Sequence, residues 1–263
     1  MRLRPSIVAA GMAALAAVLG AAGAAPAAPG VVRVQPSAAE VPANLLRISI
    51  EFAAPPAGPV LPHISLAHAD GTPVAEPFLQ QELWSPNDRI LTILLHPGRV
   101  KTGLVAHEEL GPILAAGEEV VLAFDGRPVR RWSVGPVNRN GPDPAGWKLA
   151  PVAAASRQPL VVAMDGAIDG RDAGYLAVAD SRNRRVAGRA QLKDGEKVWI
   201  FTPDQPWRAG HYQLVVRGTL EDAAGNRLGS HFETALDAPP GPATDAAITF
   251  DVDAVTLSKY KFR

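Results

Sequence analysis

The sequence predicts an all-β protein made of two tandem β-sandwiches behind a secretion signal. Three observations predict this fold. Short runs of alternating apolar and polar residues recur along the chain, turn-forming Gly, Pro, Asn and Asp residues separate these runs, and amphipathic patterns of helical length are missing. Without its signal, the 263-residue chain is still long enough for two domains of ordinary size. The composition, with 47% hydrophobic and 20% charged residues, excludes a wholly disordered chain and a coiled coil.

The N-terminus has the pattern of a cleaved signal peptide, which we assign to residues 1–25. Arg2 and Arg4 precede an apolar run at 7–22, and small residues at signal-peptidase spacing follow that run. The run is shorter than the roughly 20 apolar residues that span a bilayer, so we expect no transmembrane anchor after cleavage. We therefore expect an exported protein, either periplasmic or extracellular.

Cysteine content and charge narrow the function classes. The chain contains no cysteine, and its 26 basic residues balance 26 acidic ones. Without cysteine there are no disulfides, no thiolate metal sites and no lipid anchor at the cleavage site. Loss of Arg2 and Arg4 with the signal leaves a slight acidic excess, so the chain lacks the basic surface that binds nucleic acid. We expect no nucleic-acid partner.

The period-two pattern is clearest at 46–52, where apolar and polar residues alternate. Such alternation sends one set of side chains to a core and the other to water, which is typical of a half-buried strand. The helix candidate, around 107–116, is short and is interrupted by Pro112. The same alternation predicts further strands at 64–67, 90–95, 120–124, 160–164, 175–178, 198–201, 212–216 and 248–252.

Composition divides the chain into two sandwiches, which we place at residues 31–136 and 148–237. The stretch 137–147 between them is rich in Gly, Pro and Asn and poor in apolar residues, so we interpret it as a linker. A second Pro/Gly-rich linker opens the segment 238–263. That segment contains a C-terminal strand, which adds either to a domain edge or to a partner.

The two halves also repeat each other. The segment 91–97 in the first half matches 198–203 in the second, and 114–122 matches 207–214. A repeat of about 100 residues indicates two copies of one domain. The first copy carries an extra loop at 98–112, where the second copy has only a short connection.

These repeats resemble the bacterial Ig-like domain first described in surface-layer proteins. The resemblance rests on a strand followed by Pro, on the polar turn at 221–226, and on the pattern Leu114-x-x-Gly117-x-x-Val120-x-Leu122 with its counterpart Trp207-x-x-Gly210-x-Tyr212-x-Leu214. The first half, with its segments 82–86 and 96–104, is similar to exported bacterial proteins of unknown function that carry this domain. The resemblance covers most of residues 31–236. It implies two Ig-like Greek-key sandwiches with a tyrosine corner at Tyr212, and it transfers no catalytic residues.

The strongest candidate site lies around the extra loop of the first sandwich. Arg99 and Lys101 are donors on this Gly-bounded loop, and Glu82 and Trp84 precede the strand that leads into it. A tryptophan beside Arg and Glu has the composition of a protein-interaction hot spot. We therefore predict Glu82, Trp84, Arg99 and Lys101 as binding residues. The alternative is structural: Glu82 pairs with Arg99 to hold the loop, and Trp84 covers the open end of the sandwich.

Enzyme signatures are missing from the sequence. It has no nucleophile elbow, Walker loop or dinucleotide fingerprint, and His107 lacks the second histidine four residues later that a zinc-protease helix requires. Asp165, Asp169 and Asp172 depart from the spacing of a calcium loop, so we expect them in a solvated turn. The arginines at 182–185 are interpreted as a solvated hairpin tip. We therefore predict no enzyme, no metal and no cofactor.

The sequence thus favours an exported binding or structural module that contacts another envelope protein through loops and edge strands. Two other functions stay open. A hydrolase or metal-dependent enzyme would assemble its site from loops of both domains, with His96, His107 or aspartates, and an envelope glycan would replace the protein partner. Titratable groups that converge in a pocket would favour an enzyme, whereas a flat or edge surface would favour a binder.

Overall fold

The structure, a computed structural model, describes residues 30–230 and 243–253. Within these ranges the chain forms two β-sandwiches with separate hydrophobic cores. The predicted signal peptide at 1–25 and the end of the predicted tail, 254–263, lie outside the described residues. No helix in the described ranges is long and apolar enough to cross a membrane.

Two sets of strands build the two sandwiches, and short helices lie in the connections between strands. The strands of the first sandwich are β1 (Val31–Gln35), β2 (Glu40–Pro42), β3 (Arg47–Phe52), β4 (Ile64–His68), β5 (Leu83–Trp84), β6 (Ile90–Leu94), β7 (Glu119–Phe124) and β8 (Arg127–Gly135). The strands of the second are β9 (Lys148–Leu149), β10 (Leu160–Ala163), β11 (Leu176–Asp180), β12 (Gly188–Lys193), β13 (Val198–Pro203), β14 (Gly210–Val216) and β15 (Ala246–Val252). The helices are α1 (Pro97–Val100) and α2 (Val105–Leu110), with single 3-10 turns at Leu61–His63, Pro144–Gly146 and Asp172–Tyr175.

The first sandwich has the strand order of an immunoglobulin-like domain. One sheet runs β1-β3-β6-β5 and the other β2-β8-β7-β4. β2 pairs in parallel with β8, and the other pairs of this sandwich are antiparallel. Lettered in chain order, the sheets are A-B-E-D and A′-G-F-C, the arrangement of an Ig sandwich. Ile48, Ile50, Leu91, Ile93 and Leu122 are fully buried between them.

The second sandwich repeats this order. Its sheets run β9-β10-β13-β12 and β11-β14-β15, which correspond to A-B-E-D and C-F-G. The repeated sequence segments fall on equivalent strands, because β6 and β13 are the E strands and β7 and β14 are the F strands. The chain is therefore a tandem Ig-like β-sandwich, and the predicted fold class is confirmed.

The aromatic residues of the second sandwich lie in its core. Trp199 is completely buried, and the ring of Trp207 contacts that of Tyr212 edge to face with a centroid distance of 5.4 Å. The Tyr212 hydroxyl donates a hydrogen bond of 3.0 Å to the carbonyl oxygen of Arg208. This bond forms the tyrosine corner that the resemblance implied.

The C-terminal strand belongs to the second sandwich. β15 pairs along its whole length with β14, from Val252 opposite Gly210 to Ala246 opposite Val216. β15 is the third strand of the C-F-G sheet, so the C-terminal strand adds to a domain edge, and the second sandwich extends past the predicted boundary at residue 237. The Pro/Gly-rich stretch before β15 thus lies between two strands of one sheet and does not separate domains.

The helix expected around 107–116 lies earlier in the chain. α2 ends at Leu110, and Gly111 follows with a positive φ of 73°, a conformation that favours glycine. Pro112 comes next and has no N–H with which to continue the helix. The predicted helix at 107–116 is therefore corrected to 105–110, and Pro112 lies just after its end.

Candidate functional site

The extra loop at 98–112, here called the insertion, connects β6 to β7 and carries α2. Its anchor is Arg99, which is only 5% exposed. Arginine presents five N–H donors in a planar fork, so one side chain can hold two backbone segments. The guanidinium group donates hydrogen bonds to the carbonyl oxygens of Ala75, Glu76, Leu110, Gly111 and Pro112. Arg99 thus ties the insertion to the loop between β4 and β5.

Further contacts hold the insertion from inside. His107 Nδ1 lies 2.6 Å from the carbonyl oxygen of Arg99, so Nδ1 carries the proton and donates it to the carbonyl. A Cβ at Gly98 would lie 3.1 Å from His96 Cε1 and 3.3 Å from the Cβ of Ala106. The inner side of the insertion is therefore closely packed and hydrogen-bonded.

The outer side of the insertion is exposed and partly apolar. Val105 is 68% exposed and Leu110 is 57% exposed, and they mark the two ends of α2. Glu108 and Glu109 are exposed on the same helix, and no residue of α2 is buried. Single exposed apolar residues are common on proteins, but this helix combines two of them with two acids on an anchored loop.

Glu82 and Trp84 support another part of the first sandwich. Glu82 Oε1 accepts hydrogen bonds from the N–H groups of Val60 at 2.6 Å and Leu61 at 2.7 Å, and Oε2 accepts one from Trp84 Nε1 at 2.9 Å. Burial acts to raise the pKa of Glu82, but the bonds from Leu61, Trp84 and Val60 outweigh it and hold the pKa below its ordinary value. The Trp84 ring packs against Phe52 at a centroid distance of 5.9 Å.

The structure does not unite the four predicted binding residues in one site. Trp84 pairs with Leu91 near the start of β6, whereas Arg99 lies beyond the end of that strand. In the part of the chain that the structure describes, no ion pair links Glu82 to Arg99, so the pairing considered as an alternative is wrong. Arg99 itself is corrected from a binding to a structural residue, because backbone carbonyls occupy its donors. Lys101 lies half-buried just after α1.

A second polar site, here called the junction, joins the two sandwiches around Arg47. This side chain extends from the start of β3 to Asp169 and Glu221 of the second sandwich. Its Nη1 lies 3.2 Å from Asp169 Oδ2, and its Nη2 contacts Glu221 Oε2. The N–H groups of Leu46 and Arg47 both donate to the carbonyl oxygen of Ala223. Only 12% of the Arg47 side chain is exposed, so the ion pairs are largely shielded from water.

Asp169 and Asp172, expected in a solvated turn, are instead buried at the junction. Asp169 Oδ1 accepts a 3.0 Å bond from Arg171 Nε, and Asp172 Oδ2 accepts a 3.0 Å bond from the N–H of Glu221. Burial raises the pKa of Asp172 to about 7. The hydrogen bond from Glu221 and the charges of Arg171 and Arg47 act to lower this pKa, but burial outweighs them. The expectation was wrong because the first sandwich, distant in sequence, covers this turn.

The predicted linker is fixed at the junction through Asn138. Its Nδ2 donates a 2.8 Å bond to Asp222 Oδ2, while its backbone N–H and C=O pair with the side chain of Asn44 at 2.9 and 2.8 Å. Asp222 Oδ1 accepts the N–H groups of Ala224 and Asn226, which closes the predicted turn. Burial raises the pKa of Asp222 to about 6, although the bonds from Asn226 and Ala224 act to lower it.

Three loops of the second sandwich face the first. The B–C, D–E and F–G loops supply Gly170, Glu196 and Glu221, respectively. The N–H of Ser37 donates a 2.8 Å bond to Glu196 Oε2, and a Cβ at Gly170 would collide with the side chain of Gln35. In antibody variable domains, loops at one end of the sandwich bind antigen. Here the loops at the corresponding end contact the neighbouring sandwich.

Asp172→Asn is expected to stabilise the protein increasingly as pH rises. An ordinary aspartate pKa of 3.8 in the unfolded chain and about 7 in the folded chain mean that the folded state holds this proton more tightly. Its stabilising effect is complete below about pH 4 and is lost as pH rises through about 7. The neutral asparagine avoids that loss, so the difference in unfolding free energy should approach an upper limit of about 4 kcal/mol.

Urea unfolding of both proteins at pH 5 and pH 8 measures this difference. Asp204→Asn is the control, because Asp204 is exposed and should give the same small effect at both pH values. A variant that is less stable than the wild type at pH 8 would mean that Asp172 works as an ionised carboxylate.

A groove of about 750 Å³ lies beside the junction, between the two sandwiches. Segment 36–42, the linker, Lys197 and Asp222 contribute to its lining. Both carboxylate oxygens of Asp222 already accept two hydrogen bonds each. Among the described residues, no group of three or more His, Cys, Asp or Glu side chains is placed to hold a metal ion.

Comparisons with protein-family models and with curated proteins found no match. Among solved structures, the titin domains z1z2 in complex with telethonin match with 10% identity over 86% of this chain and 96% of that chain, with a TM-score of 0.26. Domains 5–6 of the S-layer protein SbsC match with 9% identity over 87% of this chain and all of that chain (100%), also with a TM-score of 0.26. The strand order, and not these matches, defines a tandem Ig-like protein. Membership of the surface-layer Ig-like family stays a prediction.

Proposed function

We propose that this chain is an exported, non-catalytic binding module of the bacterial envelope that contacts another protein through the insertion. One observation carries the proposal: α2 exposes Val105 and Leu110 at its two ends, while Arg99 fixes the insertion that carries them. A surface that is ordered before binding loses little conformational entropy when it binds, so more of its contact energy appears as affinity.

The partner that fits this surface is a protein with an apolar patch bordered by basic residues. Val105 and Leu110 supply apolar contacts, and Glu108 and Glu109 lie between them on α2. Complementary charges would steer the approach and fix the orientation of the complex. A glycan is a less suitable partner, because the exposed large hydrophobic residues in the described ranges are valines and leucines without aromatic faces.

The lack of native cysteine permits a site-specific test of this surface. We expect Leu110→Cys, labelled with a thiol-reactive photocrosslinker in the native envelope, to give a covalent adduct with one envelope protein. Val32→Cys is the matched control, because Val32 is 60% exposed but lies on β1, outside the insertion. Adding Val105→Ser should reduce the adduct about tenfold, since it removes roughly 1.5 kcal/mol of apolar contact.

The outcomes separate recognition from random capture. An adduct that forms equally well from Val32→Cys would reflect the abundance of the captured protein in the envelope, and it would reject the proposal. Complete absence of an adduct from Leu110→Cys, under conditions where labelling is verified by mass, would reject it too. Retention of the adduct at full yield after Val105→Ser would show that the apolar surface of α2 does not select the partner.

A further inference from the structure

β15 is a long sheet edge with little protection against pairing with another chain. Natural sheets protect their edges with short strands, bulges, proline, charged side chains or covering segments. β15 has seven residues in unbroken register with β14, contains no Pro, Lys or Arg, and carries one charged residue, Asp251, near its end. The 3-10 turn Pro144–Gly146 lies near β15, but within the described ranges strand pairing on the side away from β14 occurs only beyond its end, where Asp253 bridges to Ala153.

The other edges of the described sheets carry such protection. β5 and β9 have two residues each, β2 has three, and the register of β1 is broken by a shift. The part of β8 that β2 leaves unpaired contains Pro128, and β12 carries Arg189 and Lys193. The edges of β4 and β11 are partly covered by the loops that follow them, through backbone hydrogen bonds from His68 to Thr72 and from Asp180 to Arg184. β15, with seven residues, is the longest of these edges, and Asp251 is its one charged residue.

The backbone groups that β15 presents can be assigned from one hydrogen bond. The carbonyl oxygen of Asp253 accepts the N–H of Ala154, so it points away from β14. In an antiparallel strand the N–H and C=O of a residue point to the same edge, and the direction alternates from residue to residue. Ala247, Thr249 and Asp251 therefore direct their N–H and C=O groups outward.

We propose that a second copy of this chain pairs antiparallel with β15, with the twofold axis at Thr249. The strand is self-complementary in this register, because Ile248 faces Phe250 of the second copy and Thr249 faces its own equivalent. Aliphatic β-branched and aromatic residues are favourable cross-strand neighbours. Asp251 faces Ala247 of the second copy, so like charges are not directly opposed.

The resulting dimer has one continuous sheet of strands in the order C-F-G-G-F-C. The outward groups of the two β15 strands would form about six new backbone hydrogen bonds. Ile248 and Phe250, which are only partly buried in one copy, would gain cover from each other. This association uses the second sandwich and is independent of the partner proposed for the insertion.

Thr249→Cys tests the register directly, because the chain contains no other cysteine. Directly opposed residues in a hydrogen-bonded antiparallel pair have Cα atoms about 5.5 Å apart, which suits a disulfide. We expect mild oxidation to convert Thr249→Cys into a covalent dimer. Gln213→Cys is the matched control, since Gln213 pairs with Thr249 but lies on the central strand β14. It should stay uncrosslinked.

Thr249→Pro tests the edge itself. Proline removes one outward N–H and leaves the bonds between β14 and β15 in place. We expect the wild type to sediment as a dimer, Thr249→Val to stay dimeric, and Thr249→Pro to have half the mass with an unchanged circular dichroism spectrum. A wild type that is monomeric at every concentration, or equal crosslinking of Gln213→Cys, would overturn the proposal. If the wild type is monomeric, the occupant of this edge would instead be an extended segment of a different protein.

Discussion

Replacement of Arg47 by alanine is expected to lower the free energy of unfolding by about 3–5 kcal/mol. The change leaves the nearly buried carboxylates of Asp169 and Glu221 with one cation fewer. Arg171 and Arg227 still pair with these acids, but both belong to the second sandwich. The loss therefore falls on the contact between the sandwiches. Calorimetry should record one transition for the wild type and two for the variant.

Two further variants distinguish the loss of the junction contacts from the loss of a positive charge in general. Arg33→Ala removes an exposed arginine whose Nε lies 3.6 Å from Glu51 Oε2, and it should change stability by less than about 1 kcal/mol. Arg47→Lys keeps the charge but loses the fork that contacts two carboxylates, so an intermediate loss is expected. Equal stability of wild type and Arg47→Ala would mean that the ion pairs contribute nothing to docking.

Arg99→Ala is expected to cost about 3 kcal/mol or more and to release the insertion. Five backbone carbonyl oxygens share the Arg99 guanidinium, and hydrogen bonds to a charged group contribute about 1.5–3 kcal/mol each, although not additively. Without the side chain, the carbonyl oxygens of the insertion lose their donor and must accept hydrogen bonds from water, which requires the insertion to open. Limited trypsin digestion should then cleave after Lys101 much faster than in the wild type.

Arg89→Ala provides the comparison for Arg99→Ala, because Arg89 is exposed in the turn before β6. It should leave both stability and digestion after Lys101 unchanged. Arg99→Lys should also fail to protect the insertion, since a single ammonium group lacks the planar fork. Slow digestion of Arg99→Ala would show that packing alone holds the insertion.

Alternation predicted the strands that turn one face to a core and missed strands that are very short or largely exposed. Each of the nine predicted runs falls on a strand, and these include the edge strands β4, β11 and β15, because each turns alternate residues toward a core. Of the six strands in the described ranges that were missed, β8 and β12 show the physical reason. β8 combines Pro128 with three arginines, and most of β12 is exposed, so neither has the apolar period that marks burial. Their positions follow from hydrogen bonding to a neighbour, which local sequence does not encode.

The candidate sites were predictable only in part. Comparison of the two repeats located the insertion at 98–112, because the second copy lacks it. The burial of Arg99 was hidden, since its acceptors are backbone carbonyls and leave no side-chain pattern. The junction was missed entirely: Arg47 lies 122 residues from Asp169 and 174 from Glu221. The turn at 221–226 was recognised, but nothing local indicated that a second domain covers it.

The junction also joins two parts of the chain that are synthesised one after the other. The N-terminal sandwich leaves the ribosome first and folds as a unit. At that moment Arg47 has no counterion from the later sandwich, and the surface that the B–C, D–E and F–G loops will cover faces water. An exchange of either sandwich between proteins would therefore have to keep its half of the contact, or leave the buried charges of the other half without partners.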